Sequence, residues 1–112
     1  MQHKQQIQTL TEEIFPELVK FRRHFHQHPE LSGQEVQTAA FIASVLNKWN
    51  IPYQTGVGGH GIVAIINGNN TGKCVALRAD MDALPVQEKT NLDFCSKDPD
   101  VMHACGHDAH IA

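Results

Sequence analysis

The apolar residues Ile7, Leu10, Ile14, Leu18, Phe21 and Phe25 recur at steps of three and four, which predicts a helix of several turns with one buried stripe. Pro16 falls inside this pattern, so either the helix kinks there or its first turns form a separate short piece. The helix should stop near His28, because Pro29 disfavours helical geometry in the residue before it. Ser32-Gly33-Gln34-Glu35 then reads as a capping box, with Ser32 and Glu35 satisfying each other's free amides. A second helix follows, with Val36, Ala39, Ala40, Ala43 and Leu46 on its inner face and an end between Asn47 and Asn50.

Beyond Asn50 the pattern changes to short apolar runs. Ile51 to Thr55 reads as a short strand, and its proline suits an edge or a strand start. Gly56, Gly58, Gly59 and Gly61 mark a loop. The runs Ile62–Ile66 and Cys74–Leu77, separated by Asn67–Lys73, predict a hairpin whose near-continuous apolarity suggests cover on both faces. Arg78 to Asp82 then leaves a strand end, where ligands gather in α/β sheets. Gly106 to Ala112 resembles the opening turn of a further helix, with Asp108 well placed against the helix dipole. The expected class is α/β: two helices, a hairpin or sheet, and the start of another helix, as in a piece of a longer protein.

Composition narrows the class. The 112 residues, 41% apolar and 19% charged, suit one soluble globular unit, and no apolar run approaches the ~20 residues of a membrane span. The polar start Met1–Gln6 is unlike a secretory signal, which makes the cytoplasm the expected location. A net charge of −3 offers no basic footprint for nucleic acid. Cys74, Cys95 and Cys105 are an odd number without a signal, which favours free thiols or metal ligation over a disulfide framework. Cys74 is expected to be a small buried hydrophobe in a strand, and Cys95 an incidental thiol.

The densest chemistry lies in His103-Ala104-Cys105-Gly106-His107-Asp108-Ala109-His110. If His103, Cys105 and His107 are extended, alternation puts them on one side, where a thiolate and an imidazole can share a transition metal. Gly106 permits a sharp turn there. The competing reading is a histidine-rich surface loop with a chance cysteine. His24 and His28, one helical turn apart, can bind an ion or pack the helix end. His103 and His110 can orient neighbours, bind substrate or be plain polar residues. Asp82 can serve a site or cap a turn before Leu84-Pro85, and Asp80 can pair with Arg78 or Lys89.

Three segments in order, Phe21–Ser32, Leu77–Pro85 and Met102–His110, closely resemble the M20-type metallopeptidases. The likeness is greatest to the branch of hippurate hydrolases, N-acyl-amino-acid amidohydrolases and auxin-conjugate hydrolases. The resemblance implies that residues 1–112 are the amino-terminal part of a zinc-peptidase-like catalytic domain, without the inserted lid or dimerisation domain. It implies a site with two divalent metals, zinc or manganese foremost and cobalt or nickel compatible with the ligands. Cys105 and His107 then ligate metal, and Asp82 supports the site by orienting a ligand imidazole. The family's general-base glutamate and its remaining ligands lie beyond Ala112. The implied substrate is a small N-acyl amino acid or short peptide, with no nucleic acid or membrane partner, and the implied parent is a homodimer. Gly59-His60-Gly61 and Asp98-Pro99-Asp100 depart from the usual pattern without touching an implied ligand.

Overall fold

The computed structural model describes residues 1–112. Helix α1 runs from Gln2 to Gln27 and α2 from Val36 to Lys48; strands β1 (Tyr53–Val57) and β2 (Gly61–Ala64) form an antiparallel pair, and α3 is the single turn His107–His110. The α/β class and the order of helices, hairpin and terminal helical turn agree with the sequence reading.

Helix α1 passes through Pro16 without breaking. The proline lacks one amide donor, and the turns on either side carry the helix across that gap. It ends where expected, with the His28 amide donating to the carbonyls of His24 and Phe25 just before Pro29. A helix of 26 residues is about 39 Å long, which accounts for most of the molecule's 47 Å long dimension. Its first half therefore reaches beyond the body, and Ile7, Leu10, Ile14 and Phe15 are each at least half exposed. The predicted stripe is covered only from its second half on. Phe21 meets Phe41 and Trp49 edge-on at 6.0 and 5.9 Å, and Phe25 is buried against Phe41.

The start of α2 corrects the capping-box expectation. Its N-cap is Glu35, which makes no side-chain cap bond. Glu30 caps the helix instead: its carboxylate accepts the Gln37 and Thr38 amides at 3.1 and 2.5 Å and the Thr38 hydroxyl at 2.7 Å. A carboxylate at a helix start also opposes the positive end of the dipole. The inner face is narrower than expected, since Val36 and Ala40 are exposed while Ala39, Ala43 and Leu46 are partly covered.

The hairpin also differs from the predicted one. Tyr53 pairs with Ala64, Gln54 with Val63 and Val57 with Gly61, so the glycine cluster is the turn of the hairpin and not a loop before it. A short Gly58-Gly59-His60 connection costs less closure entropy than the seven-residue Asn67–Lys73 link. Gly61 is required at the close approach, because a Cβ there would lie 2.3 Å from the Val57 carbonyl oxygen. Cys74–Leu77 consequently has no strand partner, and the expected cover on both faces is absent: Val75 and Leu77 are 81% and 96% exposed. Cys74 is likewise exposed, not a buried strand residue.

Two short ladders position the remaining chain. The Ala83 amide donates to the Glu30 carbonyl at 2.8 Å, and Leu84 and Met102 exchange both backbone bonds at 2.9 Å. The Asp82–Leu84 segment is thus held between the end of α1 and the approach to the histidine-rich turn.

Candidate metal centre

These ladders bring Asp82 to His107. The His107 Nδ1–H donates to both the carbonyl and the carboxylate of Asp82, each at 2.9 Å, which fixes the tautomer and leaves Nε2 as the free ring nitrogen. Nε2 lies 3.4 Å from the Asp80 carboxylate, which Arg78 also contacts at 2.5 Å. Burial lowers the His107 pKa, but the Asp82 carbonyl and carboxylate and the charge of Asp80 outweigh it and raise the value overall. The Asp82 carboxylate thus serves a histidine 25 residues away, not an amide of its own turn.

Gly106 makes the turn into α3 in the left-handed region, at φ +91, where a side chain is strained. This turn undoes the alternation expected of His103, Cys105 and His107. His103 is buried and Cys105 exposed, so the three do not share one face of an extended segment. No three His, Cys, Asp or Glu side chains converge closely enough to enclose a metal ion. What the residues offer is an oriented imidazole beside two carboxylates, with the exposed Cys105 thiol two residues earlier in the chain. This donor set suits one side of a divalent centre, not a closed cage. Ser32, Glu35, Arg78, Asp80, Asp82 and His107 line a cleft of about 430 Å³ there. A larger groove of about 910 Å³ runs past His24, His28 and Lys97, but its histidines are engaged in packing: His24 stacks on Phe41 at 3.9 Å and lies 4.8 Å from the His28 ring.

Behind the turn lies a buried polar cluster that sequence patterns do not reveal. His26, 2% exposed, sits between two carboxylates, with Nδ1 2.8 Å from Asp108 Oδ2 and Nε2 3.0 Å from Glu88 Oε1. Arg22 Nε donates to the same Asp108 oxygen at 2.9 Å, and Arg22 and Arg23 both lie over the Phe94 ring. The His26 ring thus joins the two carboxylates, one at each nitrogen. Asp108 Oδ1 and both nitrogens of the 4% exposed His103 are buried without a hydrogen-bond partner, and burial lowers the His103 pKa against the opposing pull of Asp108. Heptad-like counting exposes His24 and His28 as a pair but gives His26, on a different face of α1, no partner, because both its carboxylates come from more than 60 residues away.

Glu88 gives this cluster a pH signature. Burial raises its pKa, but hydrogen bonds from the Thr90 hydroxyl, the Ser96 amide and His26 outweigh that and hold it at about 2, against 4.5 for a free carboxyl. A depressed folded-state value means stability that is present above pH 4.5 and lost as pH falls from 4.5 through about 2. Amide protection at Ser96 should fall across that window, and Glu88→Gln should flatten the slope; an unchanged slope in the variant would contradict the assignment.

Residues 76–112 match the model of peptidase family M20/M25/M40. The YhaA protein of Bacillus subtilis is 53% identical over 113 residues, 95% of this chain and 28% of that one. The N-acyl-L-amino acid amidohydrolase of Geobacillus stearothermophilus is 45% identical over 97% of this chain and 30% of its own length. Among solved structures, Bacillus subtilis YXEP, described as a dinuclear metal binding peptidase of the M20 family, superposes with a TM-score of 0.83 at 44% identity, over 89% of this chain and 28% of that one. The chain spans less than a third of the length of these relatives. In sequence and fold, it belongs to the M20 family of metallopeptidases and amidohydrolases.

Proposed function

We propose that residues 1–112 form part of the catalytic domain of a longer metal-dependent hydrolase that cleaves the amide bond of N-acyl or conjugated amino acids or short peptides. The observation that carries this reading is the His107–Asp82 pair at the turn that presents Cys105. Asp82 holds the proton on Nδ1 and thereby directs the Nε2 lone pair outward, the arrangement by which carboxylates orient metal-binding histidines. Cys105 and His107 are the proposed protein ligands, and Asp82 the residue that positions His107. Sulfur favours zinc, while carboxylates in the neighbourhood also suit manganese, cobalt or nickel. A bound divalent metal, two in the complete site, supplies Lewis acidity toward an amide carbonyl and acidifies a water molecule. The cleft walls Arg78 and Glu35 offer charges of both signs to a small substrate with a free carboxylate and an amide.

Taken alone, the 112-residue chain is better described as a non-catalytic metal-binding module, because fewer than three ligands converge. Its parent is proposed to be a homodimer, a reading that rests on the family resemblance; no helix is long and apolar enough to cross a membrane. The test is to load the longer protein carrying this chain with zinc or manganese and present N-acetyl amino acids, hippurate and dipeptides. Release of free amino acid, abolished by a chelator and by Cys105→Ser, is expected. Metal-loaded protein that cleaves none of the panel would contradict the proposal.

A further inference from the structure

The shortest helix of the fold raises a mechanical question. One turn of four residues cannot hold itself, since an isolated helix of this length forms too few bonds to offset its ordering. Its direction must come from contacts outside it. Asp108 supplies one anchor, pinned by Arg22 and His26 of α1, and His107 supplies another through Asp82. Successive helical residues point about 100° apart, so fixing the Asp108 carboxylate sets the rotation of the turn and with it the direction of the His107 ring.

The far side of the cluster is equally constrained. His26 cannot swing toward solvent, because it is 2% exposed and Glu88 holds its other nitrogen. Glu88 is itself fixed by the Ser96 amide at 2.8 Å and by the Thr90 hydroxyl. We propose that the Arg22–Asp108–His26–Glu88 cluster is a positioning device that aims His107 at the cleft, so that α1 sets the geometry of the metal centre without touching it. The inference rests on the reading of His107 as a ligand, and goes beyond it by making His26 and Glu88 positioning residues.

Two measurements on the purified chain separate the possibilities. The first, without metal, follows the His107 Nδ1–H resonance, which reports the bond to Asp82. The second titrates cobalt(II) alone and reads the thiolate-to-cobalt absorption together with the affinity. His26→Gln should weaken or abolish the His107 resonance and lower cobalt affinity about 10- to 100-fold, as for loss of an outer partner, with helical circular dichroism retained. Glu88→Gln leaves Arg22–Asp108 intact and should give a smaller loss in the same direction; it decides the matter if His26→Gln does not fold. An unchanged His107 resonance and unchanged cobalt affinity in a folded variant would overturn the proposal, leaving the cluster a plain packing element. If the unsubstituted chain shows no thiolate band, the ligand reading fails, and the His107 resonance alone decides the positioning role: loss in the variants sustains it and retention overturns it.

Discussion

Truncating Asp108 to alanine is expected to destabilise the His107–His110 turn and its docking on α1 by about 3–5 kcal/mol, the cost of breaking a buried ion pair from one side. The cost falls on His26. Arg22 is 39% exposed at its side chain and regains water when its partner is lost, whereas His26 is 2% exposed and is left with one buried ring nitrogen without a partner. The readout is local. The amides of Ala109, His110 and Ile111 donate to Gly106 and His107 carbonyls, and their hydrogen exchange should accelerate by roughly two to three orders of magnitude. Asp108→Asn keeps an oxygen acceptor and should cost less, about 1–3 kcal/mol. Acceleration of less than tenfold in the alanine variant would show that the cluster does not hold the turn.

The second large effect is on metal affinity. Cys105→Ser and His107→Ala should each reduce stoichiometric zinc binding by the chain to background, because a two-ligand site that loses either member is left with a single protein donor and water. Asp82→Asn should act more mildly, about 10- to 100-fold, since it removes the acceptor that orients His107 and not a ligand. Calorimetric titration ranks the three. Zinc binding that survives both ligand substitutions would place the cation elsewhere, with His24 and His28 the next pair to examine.

Periodicity made the helices legible because their stripes and their stops are local. The break before Pro29, the end of α2 and the left-handed Gly106 each depend on residues within a few positions. The hairpin was misread for the opposite reason. Two strong apolar runs looked like partners, yet β2 pairs backward across a glycine turn with the less apolar β1, and pairing depends on closure and register that hydrophobicity does not encode. Glu30 was missed as a cap because it reaches α2 from before the Leu31–Gly33 turn, outside the usual spacing. At the site, Cys105, His107 and Asp82 were visible as residue types, and the structure unites two of them while leaving Cys105 on the exposed side of the turn. The His26 cluster was invisible, since its four side chains come from three separate segments and only folding makes them neighbours.

The central claim is that Cys105 and His107 hold one cation at the turn that Asp82 and Asp108 orient. Zinc-edge X-ray absorption on the zinc-loaded chain tests it most directly. The account predicts a sulfur shell at about 2.3 Å together with a nitrogen shell at about 2.0–2.1 Å, the sulfur shell vanishing in Cys105→Ser. A spectrum of oxygen and nitrogen neighbours alone would contradict it.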